Sequence, residues 1–368
     1  MRNWTNGVLY ICLCVAASIA QAAPTEATAN GKDTPHDYRD RNFDYFVSGD
    51  PRLPRAAHTD GGIVLFGGGG RVDAGFRFIA KRASSGHIVI LRAVSDDSYD
   101  PEDGDYGKSF MNEWGPVVSA ETIVFHNRDA SSDPRIVEAL RNADGIFLAG
   151  GDQANYIKYW KGTPVQDALN AHVRAERPIG GSSAGLAVLG RYAYTALDGG
   201  SMESRVALAN PFDAGMTLEG DFLHCPGLEH VITDTHFSAR SRLGRLIAFI
   251  ARINHDDSAA KIYGIGVDEA SALLIDEKHI GRLAPGSKGH VWIVEEADSK
   301  QHRIEAGTPL SVDVRITKVD ANSSVDVSRR TVAQPAGVDA LAIRKGVVEP
   351  ANPFESMLTR SKTPPDED

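Results

Sequence analysis

Pro178-Ile179-Gly180-Gly181-Ser182-Ser183-Ala184-Gly185-Leu186-Ala187-Val188-Leu189 is the stretch on which the reading of this chain turns. Gly181-x-Ser183-x-Gly185 has the spacing of a nucleophile elbow, in which small flanking residues let a strand turn sharply into a helix with a serine at the tip. Such a turn exposes the serine Oγ, sets a helix N-terminus beneath developing negative charge and leaves the Ala184 N–H free to meet an oxyanion. Ser183 is therefore the expected nucleophile and Ser182 the second choice; a tight Gly/Ser turn is the plain alternative. The elbow needs a strand before it and a helix after it, so the rest of the chain must supply an α/β frame.

Working outward, it does. Ile63 to Phe66, His87 to Leu91, Thr122 to Phe125 and Ile146 to Ala149 are short runs rich in β-branched and other apolar residues. Stretches such as Asp73 to Ser84 and Asp133 to Asn142 lie between them with apolar residues at helical spacing. Strand and crossover helix in alternation pack as a mostly parallel sheet with helices on both faces, with functional loops at the strands' C-terminal ends. Glu229 to Thr233 reads as a further strand. Leu243, Leu246, Ile247 and Ile250 form one buried stripe of a helix over about 241–252. Beyond Gly264, Ala272 to Ile275, Val291 to Glu295, Leu310 to Thr317 and Ser324 to Val327 read as additional C-terminal strands, extending the main sheet or forming an antiparallel annex.

The ends differ in character. Arg2 and the apolar run Val8 to Ile19, followed by Ala20-Gln21-Ala22, read as an export signal over 1–22. Residues 23–59 read as a linker or extension, 60–344 as the catalytic domain and 345–368 as a flexible tail. The export reading implies a periplasmic or extracellular protein. Of the three cysteines only Cys225 lies outside that signal, which leaves no partner for an internal disulfide. A net charge of −10 and a pI near 5.6 disfavour nucleic acid as a partner, and a mean hydropathy of −0.24 excludes a multi-span membrane protein.

A serine nucleophile needs a base and an acid to orient it. His236 follows a strand in Thr233-Asp234-Thr235-His236-Phe237, the right end of the sheet for this work. Glu269 lies in the apolar, glycine-rich run Gly264-Ile265-Gly266-Val267-Asp268-Glu269-Ala270, with Asp268 and Asp234 as competing acids. The Gly150-Gly151 turn is expected to lend a second N–H, from Gly151, to the oxyanion. Gly67 to Gly70 lacks the Lys-Ser/Thr of a phosphate loop and reads instead as turns that let backbone approach a pocket. His224, Cys225, His230, Asp234 and His236 are dense in donor atoms, but their spacing matches no common zinc motif. No metal or other cofactor is expected. Arg242 and Arg245, three apart on a helix, project to neighbouring points beside the apolar stripe, where one can meet a substrate carboxylate.

Phe66 to Gly70, Gly150-Gly151-Asp152-Gln153, the elbow, Asp234-Thr235-His236-Phe237 with Arg240-Ser241-Arg242-Leu243-Gly244-Arg245-Leu246, and Gly264 to Glu269 together resemble the cyanophycinase family of serine peptidases. The likeness covers about residues 61–276. It implies a three-layer α/β sandwich of the class I glutamine amidotransferase-like, flavodoxin-like kind. It also implies a Ser183–His236–Glu269 triad, Gln153 and Asp234 in the substrate pocket, Arg242 and Arg245 on the polar side of the next helix, and a homodimer. The implied substrates are aspartyl or β-aspartyl amides, either a poly-aspartate polymer carrying arginine or, as in the related aspartyl dipeptidases, short Asp-X peptides. A binding domain without catalysis on the same scaffold is the remaining rival. Ser182 and Thr235 depart from the family, which has threonine and glutamine there. The short Thr235 puts polymer specificity in question.

Overall fold

Along Ile63–Phe66 every side chain is buried, and Ile88 to Leu91 and Ile146 to Leu148 are as completely covered. Strands with both faces dry belong to the middle of a layered sheet. The computed structural model describes residues 37–94, 105–297 and 302–349. The expected export signal and most of the expected tail lie outside them.

In chain order the first half holds β1 (Tyr38–Arg39), β2 (Phe43–Gly49), β3 (Gly62–Phe66), α1 (Asp73–Arg82), β4 (His87–Ala93), α2 (Tyr106–Ser109), β5 (Ser119–Phe125), α3 (Pro134–Asn142), β6 (Gly145–Leu148), α4 (Gln153–Trp160), α5 (Pro164–Arg174), β7 (Ile179–Ser182) and α6 (Ala184–Ala187). After them come β8 (Ala193–Tyr194), α7 (Ser204–Ala209), β9 (Leu218–Glu219), β10 (Val231–Asp234), α8 (Leu243–Asp256), β11 (Tyr263–Val267), β12 (Ala272–Asp276) and β13 (Ile280–Leu283). The last strands are β14 (Val291–Ala297), β15 (Val312–Val319), β16 (Ser324–Asp326), β17 (Thr331–Ala333), β18 (Gly337–Arg344) and β19 (Val347–Glu349).

The main sheet runs β1-β2-β5-β4-β6-β7-β3-β12-β13-β16-β17. Its heart, from β5 to β3, is parallel, and antiparallel strands extend both flanks. Ile63 and Leu65 enter one core, with Leu140, Tyr156, Trp160 and Leu169 of α3, α4 and α5. Val64 and Phe66 enter the opposite core, with Phe76 and Ile79 of α1. Period-two alternation along one strand thus feeds two dry layers. The mixed α/β fold with its central parallel sheet is the one expected.

A second sheet runs β10-β11-β14-β15-β18-β19, and its Ile265, Val267, Val291 and Ile293 join the first core. The expected stripe of α8 is buried against this sheet's Val294, Val312 and Ile316. The C-terminal strands therefore do both things foreseen for them, since β12, β13, β16 and β17 widen the main sheet and the others build the second. Within the expected linker, the described residues 37–59 include two strands. Phe43–Gly49 pairs antiparallel with β5 along its length, with Phe43 buried opposite Phe125. An edge strand can be made by partner hydrogen bonds and one buried aromatic without clean alternation, which is why periodicity missed it. At the other end, Val347–Glu349 is a strand inside the region expected to be tail.

Candidate active site

β7 ends at Ser182 and α6 begins at Ala184, leaving Ser183 between them at φ 53°, ψ −116°. A side chain rarely adopts that backbone, and the neighbours that force it are visible. A Cβ on Gly181 would sit 2.4 Å from the Gly185 carbonyl oxygen, and one on Gly185 would sit 2.1 Å from that of Leu148. The turn closes only because both positions are glycine. α6 is a single turn, so it contributes N–H groups more than an extended helix dipole.

His236 stands two residues beyond β10 at φ 46°, its N–H donating to the Gly67 carbonyl at 2.8 Å. Its Nε2 is 2.8 Å from Ser183 Oγ, and its Nδ1 is 2.7 Å from Glu269 Oε1. Two parallel pairings bring these groups together from distant points in sequence. β3 beside β7 delivers Gly67–Gly70 next to Ser183, and β10 beside β11 delivers the His236 and Glu269 loops side by side. A Cβ on Gly68 would lie 2.5 Å from His236 Nε2, and one on Gly69 would lie 2.6 Å from the Glu269 carboxyl carbon. The glycine run thus gives clearance for catalytic-type side chains rather than for a phosphate. Burial pushes His236 down to about 4, with Arg240 and Arg242 acting the same way and the Glu269 hydrogen bond opposing them. An imidazole neutral at ordinary pH, bonded to a hydroxyl on one side and a carboxylate on the other, can accept the hydroxyl proton.

The model of peptidase family S51 matches residues 101–283, a span that contains Ser183, His236 and Glu269. Over that span this chain is similar to peptidase family S51. It is a serine-type peptidase. It is similar to the cyanophycinase of a Nostoc species and to that of Trichormus variabilis, each 28% identical over 293 residues, covering 76% of this chain and 90% of the relative. Among solved structures it is similar to a peptidase from an acI-B1 actinobacterium, with 15% identity and a TM-score of 0.47 over 73% of this chain and 97% of that one.

Other expected site residues fall at varying distance from the elbow. Ala184 opens α6, buried. In the Gly150-Gly151 turn it is Gly150 whose Cβ would lie 3.6 Å from that of Ser183, whereas a Cβ on Gly151 would point to the Ala93 carbonyl and Tyr156 Oη. Gln153 begins α4, half-buried, beside Asp152, whose carboxylate caps the helix through the Ala154 N–H at 2.8 Å. Ser182 keeps strand register opposite Phe66.

The arginines are where spacing misled. Arg242 and Arg245 are buried, not on a solvated polar face. Arg245 grips Asp234 with Nε at 2.8 Å and Nη2 at 2.5 Å, and its Nη1 donates to Ser201 Oγ at 2.8 Å. Arg242 donates to the Thr235 carbonyl and hydroxyl at 3.0 and 2.8 Å. Burial and the nearby Arg245 pull the Arg242 guanidinium down to about 9, with Asp234 resisting. Asp234 and Thr235 thus face an internal network, and the segment carrying Tyr194, Ser201 and Met202, which lies against these arginines, is the reason. Arg240, which spacing did not single out, is the exposed member of the three, and its N–H donates to the His236 carbonyl at 3.0 Å. Three arginines in six residues were the available signal, but only packing says which one meets water.

The residues of the metal reading turn to separate partners. His224 Nε2 lies 3.0 Å from Asp221, His230 Nδ1 lies 2.7 Å from the Ala260 carbonyl, and burial drives the Cys225 thiol up to about 12. Among the described residues no group of three or more His, Cys, Asp or Glu side chains is placed to hold an ion. Nor, among them, is any helix long and apolar enough to cross a membrane.

Proposed function

We propose that this peptidase hydrolyses amide bonds adjacent to an aspartyl residue through Ser183, His236 and Glu269. The observation that carries the reading is the continuous relay from Ser183 Oγ through the imidazole to Glu269 Oε1. His236 Nε2 takes the Ser183 proton as Oγ attacks the carbonyl carbon. The Ala184 N–H and one from the Gly150-Gly151 turn receive the oxyanion. The imidazolium then protonates the leaving amine, giving an acyl-enzyme, and His236 activates water to release the acid. Glu269 holds the tautomer.

The favoured substrate is cyanophycin, cut to β-Asp-Arg dipeptides, a reading supported by the cyanophycinases among the relatives. Arg240, exposed beside His236, is the cation for a substrate carboxylate, with Gln153 supplying an amide; Arg242, Arg245 and Asp234 act on substrate through the wall they form around Thr235. Thr235 also supports a second reading, an aspartyl dipeptidase, because its hydroxyl and carbonyl are already engaged by Arg242. The expected signal in residues 1–22 supports export to the periplasm or beyond, and a homodimer is the assembly proposed.

Incubation with a serine-directed covalent inhibitor and peptide mapping should label Ser183. Kinetics on cyanophycin, β-Asp-Arg, β-Asp-Lys and ordinary Asp-X dipeptides then choose between the substrates. Polymer turnover releasing β-Asp-Arg supports the first reading; turnover confined to Asp-X dipeptides replaces it with the second.

A further inference from the structure

Asp268 neighbours Glu269 in sequence, yet its side chain turns away from His236 and is buried. Its Oδ1 accepts from the Ser238 N–H at 3.0 Å, from the Ser238 hydroxyl and from Trp292 Nε1 at 3.1 Å. Its Oδ2 accepts from the His290 N–H at 2.9 Å and from Trp292 Nε1 at 3.2 Å, and His290 Nδ1 lies 3.8 Å away. Ser238 is two residues past His236, while His290 and Trp292 stand at the start of β14. One carboxylate therefore joins three segments: the loop with the base, the loop with the acid and the second sheet. The surroundings leave it no freedom. A Cβ on Gly67 would lie 1.9 Å from the Asp268 carbonyl oxygen, and one on Gly289 would lie 2.5 Å from the Asp268 Cβ.

The two loops need such a tie. His236 at φ 46° and Ala270 at φ 48° both hold backbone that relaxes unless neighbours over-determine it. The neighbouring backbone bond between them, Phe237 N–H to the Val267 carbonyl, is 3.2 Å long. A buried carboxylate with four donors is a stronger clamp than one neutral backbone bond. We propose that Asp268 is a positioning residue for hydrolysis, its carboxylate tying the His236 loop to the Glu269 loop so that the imidazole stays between Ser183 and Glu269. This rests on the serine mechanism proposed above.

The test compares Asp268→Ala with Asp268→Asn in the full chain. Alanine removes the tie, and kcat should fall roughly 10²-fold, the scale of a misplaced catalytic group, with KM within about threefold of wild type. Asparagine keeps one oxygen, best spent where Ser238 and Trp292 converge, so kcat should recover to within about tenfold of wild type. Labelling of Ser183 by a small serine-directed reagent should slow in parallel with kcat. A wild-type kcat in Asp268→Ala, a loss confined to KM, or an Asp268→Asn as impaired as alanine would overturn the proposal. Should alanine not fold, Ser238→Ala takes its place, with kcat expected to fall about three- to tenfold through one lost hydrogen bond and a wild-type value overturning the idea. If the wild-type chain itself neither labels at Ser183 nor hydrolyses, the serine reading fails first and takes this inference with it. Normal wild-type labelling with unchanged labelling of the variants refutes the tie alone.

Discussion

Two serine–histidine hydrogen bonds stand at opposite ends of the parallel sheet. At the C-terminal end Ser183 Oγ meets His236 Nε2 at 2.8 Å; at the N-terminal end Ser119 Oγ meets His87 Nδ1 at 2.7 Å. Both histidines have an acid at hand, for the Asp144 carboxylate accepts the backbone N–H of His87 at 3.0 Å and pairs with Arg55. The distances alone do not tell them apart. The surroundings do. Ser119 and His87 face each other in regular register on β5 and β4, fully buried, and the far imidazole nitrogen is occupied by the Leu53 carbonyl at 2.8 Å. Ser183 instead sits half-buried on a strained turn, beside glycines that keep room around it, and its histidine reaches a carboxylate side chain rather than a carbonyl. A cavity of about 450 Å³ near the N-terminal end, lined by Arg55, Asp60, Arg177 and Glu277, lies away from Ser183, His236 and Glu269. Hollow volume and hydroxyl–imidazole distance are therefore weaker guides to chemistry here than strain, access and a third group in line.

Paired substitutions break this comparison most sharply. Ser183→Ala should lower kcat/KM by at least about 10⁴-fold with the melting temperature little changed. Ser119→Ala should leave kcat/KM within about twofold but cost about 1–3 kcal/mol of stability, because a buried imidazole nitrogen loses its partner. Denaturant unfolding and steady-state kinetics on both variants check this, and comparable losses of activity would erase the distinction drawn above.

Gly68→Ala tests whether clearance matters at the C-terminal end. Gly68 has φ 81° and its Cβ would stand 2.5 Å from His236 Nε2, so kcat should fall roughly 10²-fold in a chain that still folds.

A pH profile sharpens the same contrast more gently. Burial holds His236 near 4, well below the free imidazole value of about 6.5, so the acid limb of kcat/KM should approach pH 4 rather than lie near 6.5. Burial likewise holds His172 down to about 4. Both groups resist protonation when folded, and the unfolded chain takes protons first. Stability should be full above about pH 6.5 and decline as pH falls from there towards 4. An acid limb at 6.5 would mean that the imidazole is better solvated than its packing indicates.

The smallest effect concerns Cys225, whose thiol burial drives up to about 12. Iodoacetamide at neutral pH should leave Cys225 unmodified and the activity intact, as peptide mapping and kinetics would report.

Much of the site was legible in the sequence because it depends on local rules. Glycine on both sides of Ser183 announces a turn that other residues cannot make, and His236 and Glu269 each follow an apolar run that ends at the same side of a parallel sheet. The sequence by itself determined the alternation of strands and helices, the elbow, and the small set of acids from which Glu269 came. Residue spacing could not choose between Glu269 and Asp268, adjacent residues of one chemistry, because their side chains diverge only when β11 and β14 are paired; the family resemblance pointed to Glu269. The sequence could not tell that Arg242 and Arg245 are buried while Arg240 is exposed, since helical spacing gives the angle between side chains and not which neighbour covers them. Nor could it show that Gly68 and Gly69 lie against His236 and Glu269. Those contacts join residues more than 150 positions apart, and only strand order, a property of hydrogen bonds between distant segments, brings them within reach.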